Sequence, residues 1–404
     1  MRLLFVTHFL PYPPNDGGRI GYFNPIKYLS RKHEIVLVSF AEADDADNIR
    51  ALRDYCADVR TIGAPKGNRY SRLVKGLFTD PPGSAGTYFD PRMGELIRAS
   101  VRDFDTDLVE LQHLNTAAYL PYAAGVPVIL REHNVEYKVW ERHGQHARSI
   151  MERMFVRLCT PRIRHYEARM AGKFARCITV SKADERYLRE IAPGANTLTI
   201  PSGVDTEYFA PATNVAEEPC TMVLTGSFEW KPKQHNLRVL ATEIFPRIKA
   251  KLPEAKLYIV GKGVPESLRR EVEANGAVVT GPVPDVRPYV HSATLVLNYL
   301  ESGGGIALKV LEAMAMRKPV LSNALGCEGI DVSAGKDAFI ADGVQEFADA
   351  AVLLLGNRGL REELANSGYE MVKRKYAWTH LAGVFVQCYQ SVLGQAVNAH
   401  SMGE

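Results

Sequence analysis

The sequence predicts an α/β protein made of two doubly wound domains. Short apolar runs alternate with helical segments along the chain, and the alternation restarts after a break at residues 201–205 and the polar stretch 211–219. Three consecutive glycines at 303–305 follow one apolar run and precede a helix, which is the pattern of a β-α-β unit. Alternation of this kind is typical of parallel sheets with helices on both faces.

The predicted strands are short apolar runs bounded by turn residues. They are residues 3–7, 35–40, 108–111, 126–130 and 177–180 in the first half, and 222–225, 257–260, 278–280, 295–298 and 320–322 in the second. Helices are predicted between them, as at 20–30 and 44–55, and near the C-terminus, where apolar residues recur at helical spacing. Ligands bind outside the carboxyl ends of the strands in such sheets, so two facing domains would form a ligand-binding cleft.

The composition excludes several classes of function. The chain has 404 residues, 46% of them hydrophobic and 24% charged, and its net charge of +3 implies no general attraction to nucleic acid. Its six cysteines show neither CxxC nor Cys/His spacing, so we predict no metal site and no disulfide framework, and expect a reducing cytoplasm. The apolar start is interpreted as a strand rather than an export signal, and no apolar run is long enough to span a bilayer.

The glycine run and the helix after it form the first candidate site. Gly304 and Gly305 would let a ligand approach the backbone, and N–H groups at a helix start attract anions. Lys309 and Glu312, three residues apart, would face the same bound molecule. A cation beside a phosphate and a carboxylate beside sugar hydroxyls would suit a nucleotide sugar. The alternative is a tight turn before an ordinary core helix.

Two further candidate sites follow predicted strands of the first half. Gly17 and Gly18 lie in a proline-rich turn before a helix, where they would form an anion or sugar site or simply a turn. His133 lies in a polar cluster after the strand at 126–130. It would donate a hydrogen bond near a reacting sugar, or else cap the next helix.

Two loops of the second half are candidates as well. Gly226 permits close approach of a ligand, and Lys231 or Lys233 would neutralise a diphosphate. Val283 lies in the loop at 281–286, whose backbone would read a nucleobase edge. The alternative there is a helix start with Asp285 as its N-cap.

A basic stretch runs from Arg142 to Arg176. It contains nine Lys or Arg residues and two Glu, with apolar residues interleaved. A basic amphipathic helix would lie on an anionic membrane surface, and the alternative is a solvated helix face.

These motifs together resemble those of the retaining glycosyltransferases of family four, which have the GT-B fold. The resemblance covers nearly the whole chain and is most specific at residues 309–315 with Lys318-Pro319-Val320. Supporting matches are residues 13–18, 132–134, 180–184 and 200–205, and residues 326–330 resemble the bacterial exopolysaccharide branch. The resemblance implies an acceptor-binding domain at 1–205 and a nucleotide-sugar-binding domain at 206–380. It also implies a C-terminal helix at 381–404 that packs on the first domain.

The resemblance also implies roles for single residues. Glu312 matches the second glutamate of the family's Glu-x7-Glu motif, which holds the donor ribose, and Gly305 and Ile306 match backbone that contacts the diphosphate. Lys309 falls in the same motif helix and would bind phosphate. His133 matches a histidine near the donor sugar, and Gly17 and Gly18 match a loop near the sugar and phosphates. Gly304 stands where the family has its first glutamate, so donor identity stays open, and residues 226–231 replace the usual Gly-Arg-Leu…Lys-Gly segment.

We therefore predict a cytoplasmic hexosyltransferase, peripheral at the inner face of the membrane. It would transfer sugar with retention from a nucleoside-diphosphate sugar to a glycan or lipid-linked hydroxyl, in exopolysaccharide or cell-surface glycan synthesis. No metal or other cofactor is expected. The alternatives are a nucleotide-sugar epimerase on the same fold and a non-catalytic subunit that binds sugar nucleotides or glycans.

Overall fold

A computed structural model describes residues 1–65, 79–146, 150–212, 215–302 and 306–401. The chain divides into two compact units. Unit 1 contains residues 1–201 and returns at residues 382–404, and unit 2 contains residues 202–381. Each unit is built on its own parallel sheet, as the alternating pattern predicts.

Unit 1 has a seven-stranded parallel sheet in the order β3-β2-β1-β4-β5-β6-β7. The strands are β1 Arg2–Thr7, β2 Glu34–Ala41, β3 Asp58–Gly63, β4 Leu108–Gln112, β5 Val128–Glu132, β6 Arg176–Thr179 and β7 Thr197–Thr199. The central strands are nearly continuous apolar runs, because helices cover both faces of the sheet. Within β1, Leu3, Leu4, Phe5 and Val6 are completely buried.

The end of β5 differs from the sequence prediction. The strand was expected at 126–130, followed by a cluster of polar residues, but it runs to Glu132 and pairs with both β4 and β6. Arg131 and Glu132 are therefore part of the sheet and are completely buried. Pro127 precedes the strand, and proline has no N–H for a ladder hydrogen bond, which explains the later start.

The α-helices of unit 1 connect the strands across the faces of the sheet. They are Gly17–Leu29, Ala46–Leu52, Gly83–Thr87, Pro91–Asp103, Glu136–His146, Ile150–Ala171 and Lys182–Ile191, with a 3-10 helix at Leu114–Ala123. The first helix begins three residues before the predicted Ile20, because Asp16 accepts the backbone N–H of Arg19 at 2.9 Å and caps it.

Unit 2 has a six-stranded parallel sheet in the order β10-β9-β8-β11-β12-β13. The strands are β8 Thr221–Thr225, β9 Lys256–Val260, β10 Val278–Gly281, β11 Leu295–Asn298, β12 Val320–Ser322 and β13 Phe339–Ile340. The helices are Lys231–Val239, Phe245–Lys251, Glu266–Ala274, Arg287–Ser292, Leu308–Ala315, Val344–Gly356 and Arg358–Lys375, with a π-helix at Leu240–Ile244 and a 3-10 helix at Leu325–Cys327. One apolar cluster, which includes Phe245 and Phe347, and another, which includes Val223 and Val310, form its core.

The C-terminal helix Trp378–Ser401 starts in unit 2 and continues in unit 1 from Ala382. Trp378, Leu381, Phe385 and Tyr389 recur at helical spacing and are buried, so the stripe faces the core. No helix among the described residues has the length and apolarity needed to cross a membrane.

Candidate active site

The candidate donor site of unit 2 lies where its strand order reverses. β8 leads to β9 on one side, and β11 begins the other half of the sheet beside β8. The loops after β8 and β11 therefore leave the sheet in opposite directions and open a crevice at its carboxyl edge. Gly226 directly follows β8, and Ile306 lies between β11 and the helix Leu308–Ala315.

Lys309 and Glu312 lie on the helix Leu308–Ala315, and both side chains are half-buried. Burial and, to a lesser degree, the charge of nearby Lys233 lower the pKa of Lys309 to about 8, against the opposing effect of Glu312. Burial raises the pKa of Glu312 to about 7, and Lys309 opposes that shift. The structure thus brings together the predicted phosphate-binding cation and the predicted ribose-binding carboxylate, which both titrate near neutral pH.

The loop that carries Gly226 is held by close backbone contact with the loop after β9. Phe228 donates its N–H to the carbonyl of Lys262 at 2.8 Å. Gly261 has a positive φ of 141°, and a Cβ there would lie 1.7 Å from the carbonyl oxygen of Gly226. Glycine is therefore required at 261 for the two loops to approach, a requirement that depends on a contact between distant loops and is not visible in the sequence.

The two candidate lysines of this loop differ in their surroundings. Lys231 is exposed at the first position of the helix Lys231–Val239. Lys233 is also exposed, and its charge lowers the pKa of Lys309, which places it near the motif helix. The diphosphate contact predicted for Lys231 stays a prediction. Of the two lysines, Lys233 is the one whose charge lowers the pKa of Lys309.

Val283 and Ile306 are half-buried against the same apolar cluster of unit 2. The loop around Val283 leads into the helix Arg287–Ser292, where Asp285 accepts the N–H of Arg287 at 2.9 Å. Asp285 thus binds a backbone N–H at the helix start, but the N-cap is Val286, so the alternative that made Asp285 the N-cap is wrong. Gly304 and Gly305 lie outside the described residues, and the helix predicted to open at the glycine run begins at Leu308.

Asn236 fixes the loop that leads from β11 to the glycine run. Its Oδ1 accepts the backbone N–H groups of Glu301 at 2.9 Å and Ser302 at 3.3 Å, and its Nδ2 donates to the carbonyl of Ser302 at 2.9 Å. The adjacent His235 Nε2 lies 2.8 Å from a Glu301 carboxylate oxygen. Sequence reasoning missed Asn236, because the partners of a buried amide are not visible in sequence.

His133 follows β5 at the carboxyl edge of the unit 1 sheet and is half-buried. Its Nε2 lies 2.8 Å from the side-chain oxygen of Gln112, the last residue of β4. Its ring contacts the edge of Tyr22, with centroids 4.6 Å apart, and a Cβ on Gly21 would come within 3.0 Å of the imidazole. Burial lowers the pKa of His133 well below its ordinary value, and Arg131, His113 and His8 add to the effect, so the ring is neutral at pH 7.

Two more histidines, His8 and His113, lie at the same edge and were not singled out as site residues. They follow β1 and β4, the strands between which the order of this sheet reverses, and their rings are 5.2 Å apart. His113 Nδ1 accepts the N–H of Asn115 at 3.3 Å, which leaves Nε2 to donate to Glu136 at 3.0 Å. Both could have been identified as site residues from the sequence, because each directly follows one of two neighbouring strands.

Gly17 and Gly18 are exposed at the first turn of the helix Gly17–Leu29, one turn before Gly21. A Cβ at Gly18 would lie 3.3 Å from Phe9 and from Asp16, whereas a Cβ at Gly17 would meet nothing within 4 Å. The sugar and phosphate contacts predicted for them stay predictions. Among the described residues, no group of three His, Cys, Asp or Glu side chains is arranged to hold a metal ion.

Comparisons with known proteins agree with this architecture. Residues 219–357 match the family model described as glycosyl transferases group 1, and residues 23–208 match the model described as glycosyltransferase family 4. A phosphatidyl-myo-inositol mannosyltransferase of Mycobacterium leprae is 26% identical over 75% of this chain and 78% of that protein. An uncharacterized 44.6 kDa protein in the cps region of Klebsiella pneumoniae is 19% identical over 93% of this chain and 96% of that protein.

A solved structure supports the fold. HepE of Anabaena, in complex with UDP and glucose, superposes with a TM-score of 0.68 at 14% identity, over 97% of this chain and 100% of that one. The two family models lie on the two halves of the chain, and each half has its own Rossmann-like sheet. The family and fold implied by the sequence motifs are thereby confirmed. The chain is a glycosyltransferase that belongs to family four and has the GT-B fold.

Proposed function

We propose that this glycosyltransferase moves a hexose from a nucleoside-diphosphate sugar to a hydroxyl group with retention at the anomeric carbon. The observation that carries the proposal is the pair Lys309 and Glu312 at the carboxyl edge of the unit 2 sheet. A cation stabilises a bound phosphate, and a carboxylate accepts strong hydrogen bonds from ribose hydroxyls. The pair supplies both groups within one turn of one helix.

Donor binding is assigned to the loops around this pair. Glu312 accepts hydrogen bonds from the ribose, and Lys309, with Lys231 or Lys233, faces the diphosphate. Gly226, Gly304, Gly305 and Ile306 present backbone to the phosphates, and the loop at Val283 lies along the nucleobase. The contacts between Asn236 and residues 301–302 support this assignment, because they hold the β11 loop in one position.

Catalysis is assigned to charge stabilisation on the leaving diphosphate. Bond cleavage leaves negative charge on the departing phosphate oxygen, and a preoriented lysine stabilises that charge more than it stabilises the ground state. We assign His133 to the donor sugar, and Gly17 and Gly18 to the sugar and phosphates, as the resemblance to the family implies. No metal or other cofactor is required in this proposal, so chelation with EDTA should leave turnover unchanged.

We propose a glycan or lipid-linked acceptor and a role in exopolysaccharide or cell-surface glycan synthesis. The mycobacterial relative is a phosphatidyl-myo-inositol mannosyltransferase, which supports a lipid-linked acceptor and a mannose-type donor. HepE was solved with UDP and glucose, which supports a uridine nucleotide and glucose instead. The relative in the cps region supports the polysaccharide role.

Peripheral contact with the cytoplasmic face of an anionic membrane completes the proposal. The helix Ile150–Ala171 exposes Ile150 by 76%, Met151 by 82%, Met154 by 60% and Leu158 by 61%, all on one face. Arg153 and Arg157 are exposed on the same turns. Large exposed apolar side chains beside basic ones are typical of a helix that lies in a membrane interface.

Purified protein incubated with a panel of nucleotide sugars and acceptors tests the function. We expect nucleotide release that depends on an acceptor, and an NMR coupling constant of the product that shows the donor's anomeric configuration. Free isomerised nucleotide sugar without acceptor would instead indicate an epimerase. Tight donor binding without nucleotide release on any acceptor would indicate a binding subunit.

A further inference from the structure

A buried chain of polar side chains links the C-terminal helix to His133. The hydroxyl of Tyr389 donates to one carboxylate oxygen of Glu110, and the amide nitrogen of Gln112 donates to the other at 2.5 Å. The side-chain oxygen of Gln112 then meets His133 Nε2 at 2.8 Å. Tyr389, Glu110 and Gln112 are completely buried, and all four residues belong to unit 1.

The direction of this chain follows from the carboxylate. Glu110 has a donor on each oxygen, which is the arrangement of an ionised carboxylate. Burial raises the pKa of Glu110, whereas the positive charge of Arg131 and both donors favour the ionised form. Gln112 must therefore turn its amide nitrogen towards Glu110 and its oxygen towards the histidine.

An amide oxygen accepts a hydrogen bond and cannot donate one, so the hydrogen of the neutral imidazole lies on Nε2. This leaves the lone pair on Nδ1, which has no hydrogen-bond partner among the described residues. The Nδ1 edge of the ring faces Gly21, where a Cβ would come within 3.0 Å of Nδ1 and Cε1, so any larger residue at position 21 would crowd that atom.

We propose that Tyr389, Glu110 and Gln112 are positioning residues that hold His133 in its Nε2–H tautomer, so that Nδ1 accepts a hydrogen bond from a substrate hydroxyl. The proposal rests on the role assigned to His133 under the proposed function. It makes the C-terminal helix part of the site, since Tyr389 lies 279 residues from Glu110 along the chain.

Nitrogen NMR of protein labelled with 15N-histidine tests the tautomer directly, because protonated and unprotonated ring nitrogens have distinct shifts. We expect one Nε2–H signal set for His133 near pH 7.5, assigned by its loss in His133→Ala. Glu110→Gln removes the fixed acceptor and allows the amide of Gln112 to turn over, so signals of both tautomers should appear. Tyr389→Phe removes one hydroxyl and should shift the population in the same direction. Tyr119→Phe is the matched control, because that buried hydroxyl donates to the carbonyl of Tyr88 outside the chain of contacts.

Kinetics provide a second readout. We expect turnover to fall roughly 10- to 100-fold in Glu110→Gln, the size of effect seen when the outer partner of a metal-binding histidine is removed, with the donor KM changed less than about twofold. An Nδ1–H tautomer in the wild type, or an unchanged tautomer in folded Glu110→Gln and Tyr389→Phe, would overturn the proposal. If no nucleotide sugar is a donor, the proposed function fails, and the NMR result still decides whether these residues set the tautomer.

Discussion

At the residue scale, the helix Leu308–Ala315 carries two ionisable side chains, and burial disfavours the charged form of each. Lys309 and Glu312 are half-buried, and each has its pKa moved towards neutrality. A bound nucleotide would place its diphosphate beside Lys309 and its ribose hydroxyls beside Glu312. The ligand would therefore stabilise two charged side chains that are partly desolvated in the free protein. Perturbed titration in a crevice is typical of functional sites.

Lys309→Met keeps the length of the side chain and removes its charge. We expect turnover to fall by roughly two orders of magnitude, as when an oxyanion donor is lost, because negative charge develops on the leaving diphosphate in the transition state. Donor affinity by calorimetry should fall less. Lys231→Met and Lys233→Met test the two other candidate cations. Near-normal turnover in Lys309→Met with loss in either of these variants would assign the cation to that lysine instead.

The pH dependence of kcat/KM should be bell-shaped, with its maximum between about pH 7 and 8. Glu312 is ionised only as the pH rises through about 7, and Lys309 loses its charge as the pH rises through about 8. Donor capture needs both charges, so the rate should fall on either side, with limbs that belong to the coupled pair. Glu312→Gln should abolish the acidic limb, whereas a limb that persists would show that another group titrates.

At the element scale, the helix Ile150–Ala171 is half core and half surface. Val156, Cys159 and Ile163 are buried in unit 1, whereas Ile150, Met151, Met154 and Leu158 face outward. The sequence showed the basic excess but left a solvated face as the alternative. The exposed apolar stripe is the added observation that favours an interface.

Binding to vesicles containing anionic lipid should weaken in Leu158→Ser and in the triple charge reversal of Arg153, Arg157 and Arg164 to Glu. The apolar change removes buried surface, and the charge reversal removes attraction that salt screens. Flotation at low and high salt measures both effects. Leu353→Ser, at a leucine 49% exposed in unit 2, is the matched control and should bind as the wild type does. Absence of binding at low salt would contradict the proposal.

At the scale of the whole molecule, the chain passes between the two units twice, near residues 201–202 and 381–382. In unit 2 the segments beside these points run together. Val204 donates to the carbonyl of Tyr376 at 2.8 Å and accepts from the N–H of Trp378 at 3.2 Å. A Cβ on Gly203 would lie 2.6 Å from both the Tyr376 carbonyl oxygen and Leu381.

Gly203→Ala should therefore destabilise the protein by roughly 1–3 kcal/mol, the usual effect of overpacking. Thermal unfolding followed by calorimetry measures the change. Gly383→Ala is the matched control, because its Cβ would meet nothing within 4 Å and alanine favours the helix there. Equal melting temperatures for Gly203→Ala and the wild type would show that the two segments can shift to accommodate the added methyl group without loss of stability.

The sequence by itself determined the fold class, the family and the helix that carries Lys309 and Glu312. These follow from local patterns: buried central strands are apolar runs, and the motif residues lie within one short segment. It missed β3, β7 and β13, which lie at sheet edges, where a strand has one neighbour and needs fewer apolar residues. It also placed Arg131 and Glu132 outside the sheet that buries them.

Only the tertiary structure decided which polar groups meet. Tyr389, Glu110, Gln112 and His133 come from a helix, two positions of one strand and a loop, and nothing in their local sequence indicates their contact. Strand register brings β4 beside β5, and packing of the C-terminal helix supplies the tyrosine. Hydrogen bonds between residues far apart in sequence depend on that register and packing, and local periodicity encodes neither.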